Sequence, residues 1–325
     1  MNSFPPVSLV IPVFNESKTM EALIQTILAQ SLPPNEIILV DGGSEDNTVK
    51  LTRELTAGDN RFQIIESKRA MPGEGRNLGM GKVKNDWVAF TDAGISLDPH
   101  WLEKLVNKAK EDPGISIVYG NYAPQIRSFF EKCALIAYVP PQRPGQIRNK
   151  TIVSCLLKKE IWEKTGGFPD WRATEDLVFM EKAEQLGYKF GFAPGAIAHW
   201  QLRPGLRSTF EKFDLYSKYN VWAGRQAYWH YGIARQYILM LVFIGLGIYQ
   251  HWLWFLVLPL WMIARVVKRI YMHRSEFGIA HLFNPAFVVM VMLITLTIDM
   301  ATFSGWIKAI FRKNPVRSSR NSIAL

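Results

Sequence analysis

The chain has 325 residues, enough for one large domain or two, and its 48% apolar and 20% charged content excludes a disordered polymer. Two cysteines, Cys133 and Cys155, exclude a disulfide framework and match no paired metal-ligand spacing, so a reducing compartment is expected. The 38 Lys and Arg outnumber the 28 Asp and Glu, and the excess is uneven: from Tyr237 onward nine basic residues face two acids, against 29 and 26 before it. A nearly balanced front and a basic, apolar back describe a soluble domain tied to a membrane, not a nucleic-acid binder.

Met1–Pro6 carries neither a basic n-region nor an apolar h-region, so the front is expected to stay in the cytosol. Val7–Val13 is almost wholly apolar, as a strand buried on both faces must be. Met20, Leu23, Ile24, Ile27 and Leu28 then recur at helical spacing. Pro33-Pro34 breaks the chain before a second strand, Glu36–Asp41; Gly42-Gly43-Ser44 turns, and Glu45–Thr56 reads as a helix. Phe62–Glu66 is a third strand, Pro72-Gly73-Glu74-Gly75 opens a short helix, and Trp87–Thr91 is a fourth strand. Strands alternating with helices predict right-handed crossovers and a mostly parallel, Rossmann-like α/β sheet.

Ligands of such sheets bind beyond the carboxyl ends of the strands. The first strand ends in Pro12-Val13-Phe14-Asn15-Glu16, the second in Asp41-Gly42-Gly43-Ser44 and the fourth in Thr91-Asp92-Ala93-Gly94. Three acids from three strands therefore meet on one rim, where carboxylates can accept from ribose hydroxyls and a base N–H, or hold a divalent ion.

The segments "VSLVIPVFNE", "EIILVDGGSEDNT", "GEGRNLGM" and "WVAFTDAGISLDPHWLEKL", in this order, resemble the family 2 glycosyltransferases of GT-A fold. The resemblance is close over 7–105 and looser to about residue 224. It implies that Pro12, Asn15, Glu16 and Asp41 contact the nucleoside of a nucleotide-sugar, that Arg76 lies near the nucleotide, and that Asp92, Ala93 and Gly94 stand where the family has Asp-x-Asp. The last carboxylate of that triplet, which binds Mg²⁺ or Mn²⁺ in the family, is glycine here. Either Asp92 alone holds a weakly bound divalent cation carried largely by the diphosphate, or Arg76, Arg203 and Arg207 supply the positive charge. Asp98, four residues beyond Gly94, is not assigned a role.

Past Asp112-Pro113, Ser116–Gly120 and Thr151–Leu157 read as strands, and Pro140–Gly145 as a stiff basic loop. Gly166-Gly167-Phe168-Pro169, followed by Thr174-Glu175-Asp176 and the helix Leu177–Leu186, resembles the family's "GGF…ED" element. Inversion at an anomeric carbon needs a base for the acceptor hydroxyl; the resemblance gives that role to Asp176, with Glu175 second. His199 sits where relatives carry a histidine near the diphosphate or metal. The synthases' Gln-x-x-Arg-Trp has no counterpart, which weighs against processive polymerisation. Phe210–Arg225 reads as an amphipathic interfacial helix.

Ile238–Ile248, Trp252–Ala264 and Ala286–Ile298 are apolar runs, each shorter than the ~20 residues of one crossing. The first two make either one long tilted helix or a hairpin turning near Gln250-His251, and the Arg and Lys on both flanks favour the hairpin. Asp299 either ends the third buried run or is functional. The expectation is a cytosolic GT-A domain over 1–224 and interfacial and transmembrane helices with a basic tail over 225–325. It would be an integral membrane protein, catalytic on the cytosolic face, moving a sugar from a nucleotide-diphospho-sugar, UDP-linked by expectation, to a lipid-linked or membrane-proximal glycan. The rival is a membrane-anchored pseudo-transferase that binds nucleotide or a partner. A sugar-nucleotide pyrophosphorylase would need a glycine-rich phosphate loop after the first strand, which "PVFNESKT" lacks.

Overall fold

The computed structural model describes residues 4–141, 147 and 149–312. Most of the Pro140–Gly145 loop and the tail beyond Arg312 lie outside the described residues. The chain divides into two compact units, 1–125 with 147–201, and 126–146 with 202–325.

The first unit begins β1 (Val7–Val13), α1 (Met20–Leu28), β2 (Glu36–Asp41), α2 (Thr48–Leu55), β3 (Phe62–Glu66), α3 (Pro72–Met80) and β4 (Trp87–Phe90). It continues with β5 (Ser96–Leu97), α4 (Trp101–Glu111) and β6 (Ile115–Gln125); the second unit contributes α5 (Phe129–Tyr138). The first resumes with β7 (Cys155–Lys158), α6 (Lys159–Thr165), α7 (Glu175–Gln185) and β8 (Lys189–Gln201). The eight strands form one sheet in the order β3-β2-β1-β4-β7-β6-β8-β5. The four leading strands pair in parallel, as do β6 and β8, whereas β4–β7, β6–β7 and β5–β8 are antiparallel. The α/β prediction holds, with the second half of the sheet mixed.

Alternation along β1 sends Leu9 and Ile11 to one face, against α1 and α4, and Val10 to the other, against α3 and α7. Helices on both faces explain why β1 and β2 read as unbroken apolar runs. The face carrying α3 is unusually tight. A Cβ at Gly79 would lie 2.4 Å from Val10 Cγ1, and one at Gly73 would collide with the Pro169 carbonyl. Glycine at these positions lets the helix backbone approach the sheet at Val10 and the loop at Pro169, and Arg76 and Met80 of the same helix are enclosed.

The second unit holds α8 (Leu206–Trp222), α9 (His230–Tyr249), α10 (Val257–Met272), α11 (Arg274–Phe277) and α12 (Pro285–Phe311) besides α5. α9 stops at Tyr249 and α10 starts eight residues later, so the long-helix alternative is not the one adopted. Gly305 lets α12 lie against α8, where a Cβ would stand 2.2 Å from the Asp214 carbonyl. Asp299 does not end a run: it is buried mid-way along α12. It accepts from Arg265 Nη1 at 2.5 Å, from Arg265 Nη2 at 3.0 Å and from Tyr237 OH at 2.8 Å, tying α9, α10 and α12 together. α9 and α12 are each long and apolar enough to cross a membrane.

Candidate active site

In parallel strands the carboxyl ends share an edge, and the register aligns them: Val13 pairs with Asp41, and Val10 with Phe90. Asn15–Glu16, Asp41–Ser44 and Asp92–Gly94 therefore leave the sheet on the same rim. Asp41 is buried there and occupied by its own turn. Its Oδ2 accepts from the Gly43 and Ser44 amides, both at 2.9 Å, and its Oδ1 from Ser44 Oγ at 2.5 Å. Asn15 adopts φ +54, donates its amide to Ser44 Oγ and accepts from the Glu45 amide, clamping the first loop to the second. A cleft of about 530 Å³ opens beside them, lined by Asn15, Glu16, Thr19, Glu45, Asp46 and Gln201 among others. Pro12 stands behind the rim, where a Cβ on Gly75 of α3 would be 3.2 Å from its own Cβ.

The four charged residues of greatest interest converge in one cluster. Arg76 of α3 is 1% exposed; its Nη2 donates to Asp92 Oδ1 and its Nη1 to Glu175 Oε1, each at 2.6 Å. The guanidinium also lies 5.6 Å from the Phe168 ring centroid, and that ring stacks on Phe179 of α7 at 4.1 Å. Burial and the neighbouring Asp176 push the Glu175 carboxyl up to about 7, against the opposing pull of Arg76. Burial, with the charge of Asp92, also raises Asp176, again opposed by Arg76. Burial alone would lower Arg76, but Asp92, Glu175 and Asp176 hold it firmly charged. Arg76 Nε, Glu175 Oε2 and Thr91 Oγ1 are buried without a hydrogen-bond partner among the described residues. Thr174, which enters α7, has φ +71, a left-handed conformation costly for a β-branched residue.

Asp92, Glu175 and Asp176 thus meet around Arg76, whereas Asn15, Glu16 and Asp41 build the adjoining rim. Ala93 and Gly94 contribute backbone, Gly94 at φ +79. A Cβ there would lie 3.3 Å from Glu16 Oε2, so a carboxylate from the first strand's loop stands beside the position where the sequence lacks one. His199 is on β8, opposite Ser96 of β5 and Ala123 of β6. Arg203 and Arg207 belong to the second unit; both are exposed, and Arg207 Nε reaches Glu211 Oε1 at 3.1 Å. Among the described residues no three His, Cys, Asp or Glu side chains group as a metal cage. The Arg76–Glu175 pair spans 99 residues and gives no sequence signal beyond the motifs themselves. Arg172, stacked 5.3 Å from the Phe14 ring at the rim, was also not foreseen.

Residues 8–156 match the model of Glycosyl transferase family 2. The chain is 28% identical over 212 residues to Glycosyltransferase AglE of Haloferax volcanii, covering 62% of this chain and 69% of that protein. It is 25% identical over 209 residues to poly-beta-1,6-N-acetyl-D-glucosamine synthase of Staphylococcus aureus, 61% of this chain but only half of that protein's length. Its fold is of the GT-A type and is shared with a mannosyltransferase from Pyrobaculum calidifontis solved with GDP-Man and Mn²⁺, at a TM-score of 0.66 and 15% identity, over 95% of this chain and 88% of that one.

Proposed function

This chain carries a family 2 glycosyltransferase domain and is a glycosyltransferase, and on that premise we propose that it inverts configuration, with Asp176 as the base that takes the acceptor's hydroxyl proton. The observation that supports this reading is the Arg76-centred cluster. Glu175 has one oxygen held by Arg76 and is nearly enclosed, whereas Asp176, the next residue of the same helix turn, makes no such ion pair among the described residues and is half-buried. A carboxylate raised toward neutrality is better matched to removing a hydroxyl proton than an ordinary one. Proton removal and attack occur on the face opposite the departing diphosphate, so the base and the donor phosphates stand on either side of the sugar.

The donor in this reading is a nucleotide-diphospho-sugar, UDP-linked by preference, its nucleoside against Pro12, Asn15, Glu16 and Asp41. Asp41 can receive a ribose hydroxyl only by exchanging a hydrogen bond of its own turn. A divalent cation would neutralise the diphosphate as it leaves. The carboxylates present fit such an ion loosely: Asp92 has one oxygen on Arg76, Glu16 stands next to Gly94, and Mg²⁺ readily binds through one or two carboxylates plus phosphates. His199 is retained only as an outlying candidate ligand. Arg76 is a poor substitute for the ion, since both its terminal nitrogens already face carboxylates. The acceptor is proposed to be a lipid-linked or membrane-proximal glycan and the domain to face the cytosol, the support being the two apolar helices and the basic residues flanking them.

Purified protein tested for UDP release from a panel of UDP-sugars, with and without Mn²⁺, checks the reading. Asp176→Asn should keep UDP affinity and lose turnover by about 10²- to 10⁴-fold. Near-normal turnover in that variant would remove Asp176 from the role.

A further inference from the structure

We infer that Arg76 is a positioning residue, whose guanidinium ties the donor-side carboxylate Asp92 to Glu175 and thereby holds Asp176 in line for the incoming hydroxyl. The inference rests on the reading of Asp176 as the base. Arg76 is fully enclosed, one terminal nitrogen on each carboxylate at 2.6 Å, with the Phe168 ring beside it. Phe168 stacks on Phe179, so both the ion pair and the ring connect the guanidinium to α7, the helix that carries Asp176. Thr174, immediately before the acid pair, is held at φ +71, and a strained residue persists only where its surroundings over-determine it. The contact from Arg76 to Glu175 is the ionic part of that hold. The planar fork matters: an ammonium at the same place is a single point and cannot face two carboxylates along two fixed directions.

Removing Arg76 alone leaves Glu175 as an unpaired buried charge, which can unfold the domain. The test therefore uses full-length protein with Arg76→Lys and with the paired change Arg76→Met/Glu175→Gln, which removes both charges together. UDP affinity is measured by calorimetry, kcat by UDP release, and folding by thermal denaturation. The expected result is a kcat lower by about 10- to 100-fold in both variants, as a misplaced reacting group gives. UDP dissociation constants should remain within about threefold of the wild type in both variants. A folded double variant with normal kcat overturns the inference. So does a large loss of UDP affinity at unchanged kcat, which would make Arg76 a donor ligand. Asp176→Asn separates the two levels: if it retains turnover, the base assignment itself fails. If it is inactive while Arg76→Lys matches the wild type, only the positioning role falls.

Discussion

Glu175 lies between two demands, ion pairing to Arg76 and exclusion from water, and the second leaves its carboxyl near 7. That value is above the one it has in an unfolded chain, so the native state holds the proton more tightly. The stabilisation is fully present below about pH 4.5 and is lost as pH rises through about 7. Activity should run the other way, because only an ionised Glu175 completes the ion pair with Arg76 that is proposed to aim Asp176. Turnover should climb between pH 5.5 and 8 while the thermal midpoint declines, and Glu175→Gln should flatten the thermal trend. Turnover independent of pH across that window would show that the acid pair does not govern the rate. Gly94 belongs at this scale too. Restoring an aspartate there would force a side chain onto φ +79 and against Glu16, so Gly94→Asp is not a clean repair of a metal site.

Among the elements, α3 decides how the site is enclosed. It is a poor helix by propensity, with glycine at 73, 75 and 79, yet those residues permit the approach that buries Arg76. Gly79→Ala should cost about 1–3 kcal/mol, because its Cβ would press into Val10. Gly81→Ala, two residues on, would meet only Asn77 and Leu78 carbonyls at 3.6 Å and should be neutral. Urea denaturation of the pair checks this, and equal stabilities would mean that α3 is not held by close packing. The helices of the second unit use another device. Asp299 bridges Arg265 and Tyr237 across three helices, which fits a buried acid whose charge is fully paired.

At the scale of the whole molecule, α9 and α12 are each long and apolar enough to cross a bilayer. α9 ends at Tyr249 and the chain resumes helix at Val257, with Arg235 before and Arg265, Lys268, Arg269 and Arg274 after. Basic flanks on both sides predict that a reporter fused after Arg274 reads the same face as one fused at the N-terminus. Opposite faces would mean a single crossing between them.

The strands β1 to β4, their parallel order and the acids at their ends were legible in the sequence, because apolar runs, Gly-Gly turns and motif order are local properties. The short β5, the helix α4 within the last motif and the mixed pairing of β7 escaped it: pairing partners are chosen by long-range contacts. The acid pair Glu175-Asp176 could be picked out by its motif, but not that Glu175 is locked to an arginine 99 residues earlier. Arg76 had looked like a nucleotide ligand, a natural reading for a guanidinium in a glycine-rich segment. What only packing decides is that the guanidinium is enclosed: the glycines of the segment let its helix close on the sheet, where Arg76 pairs with the carboxylates of Asp92 and Glu175.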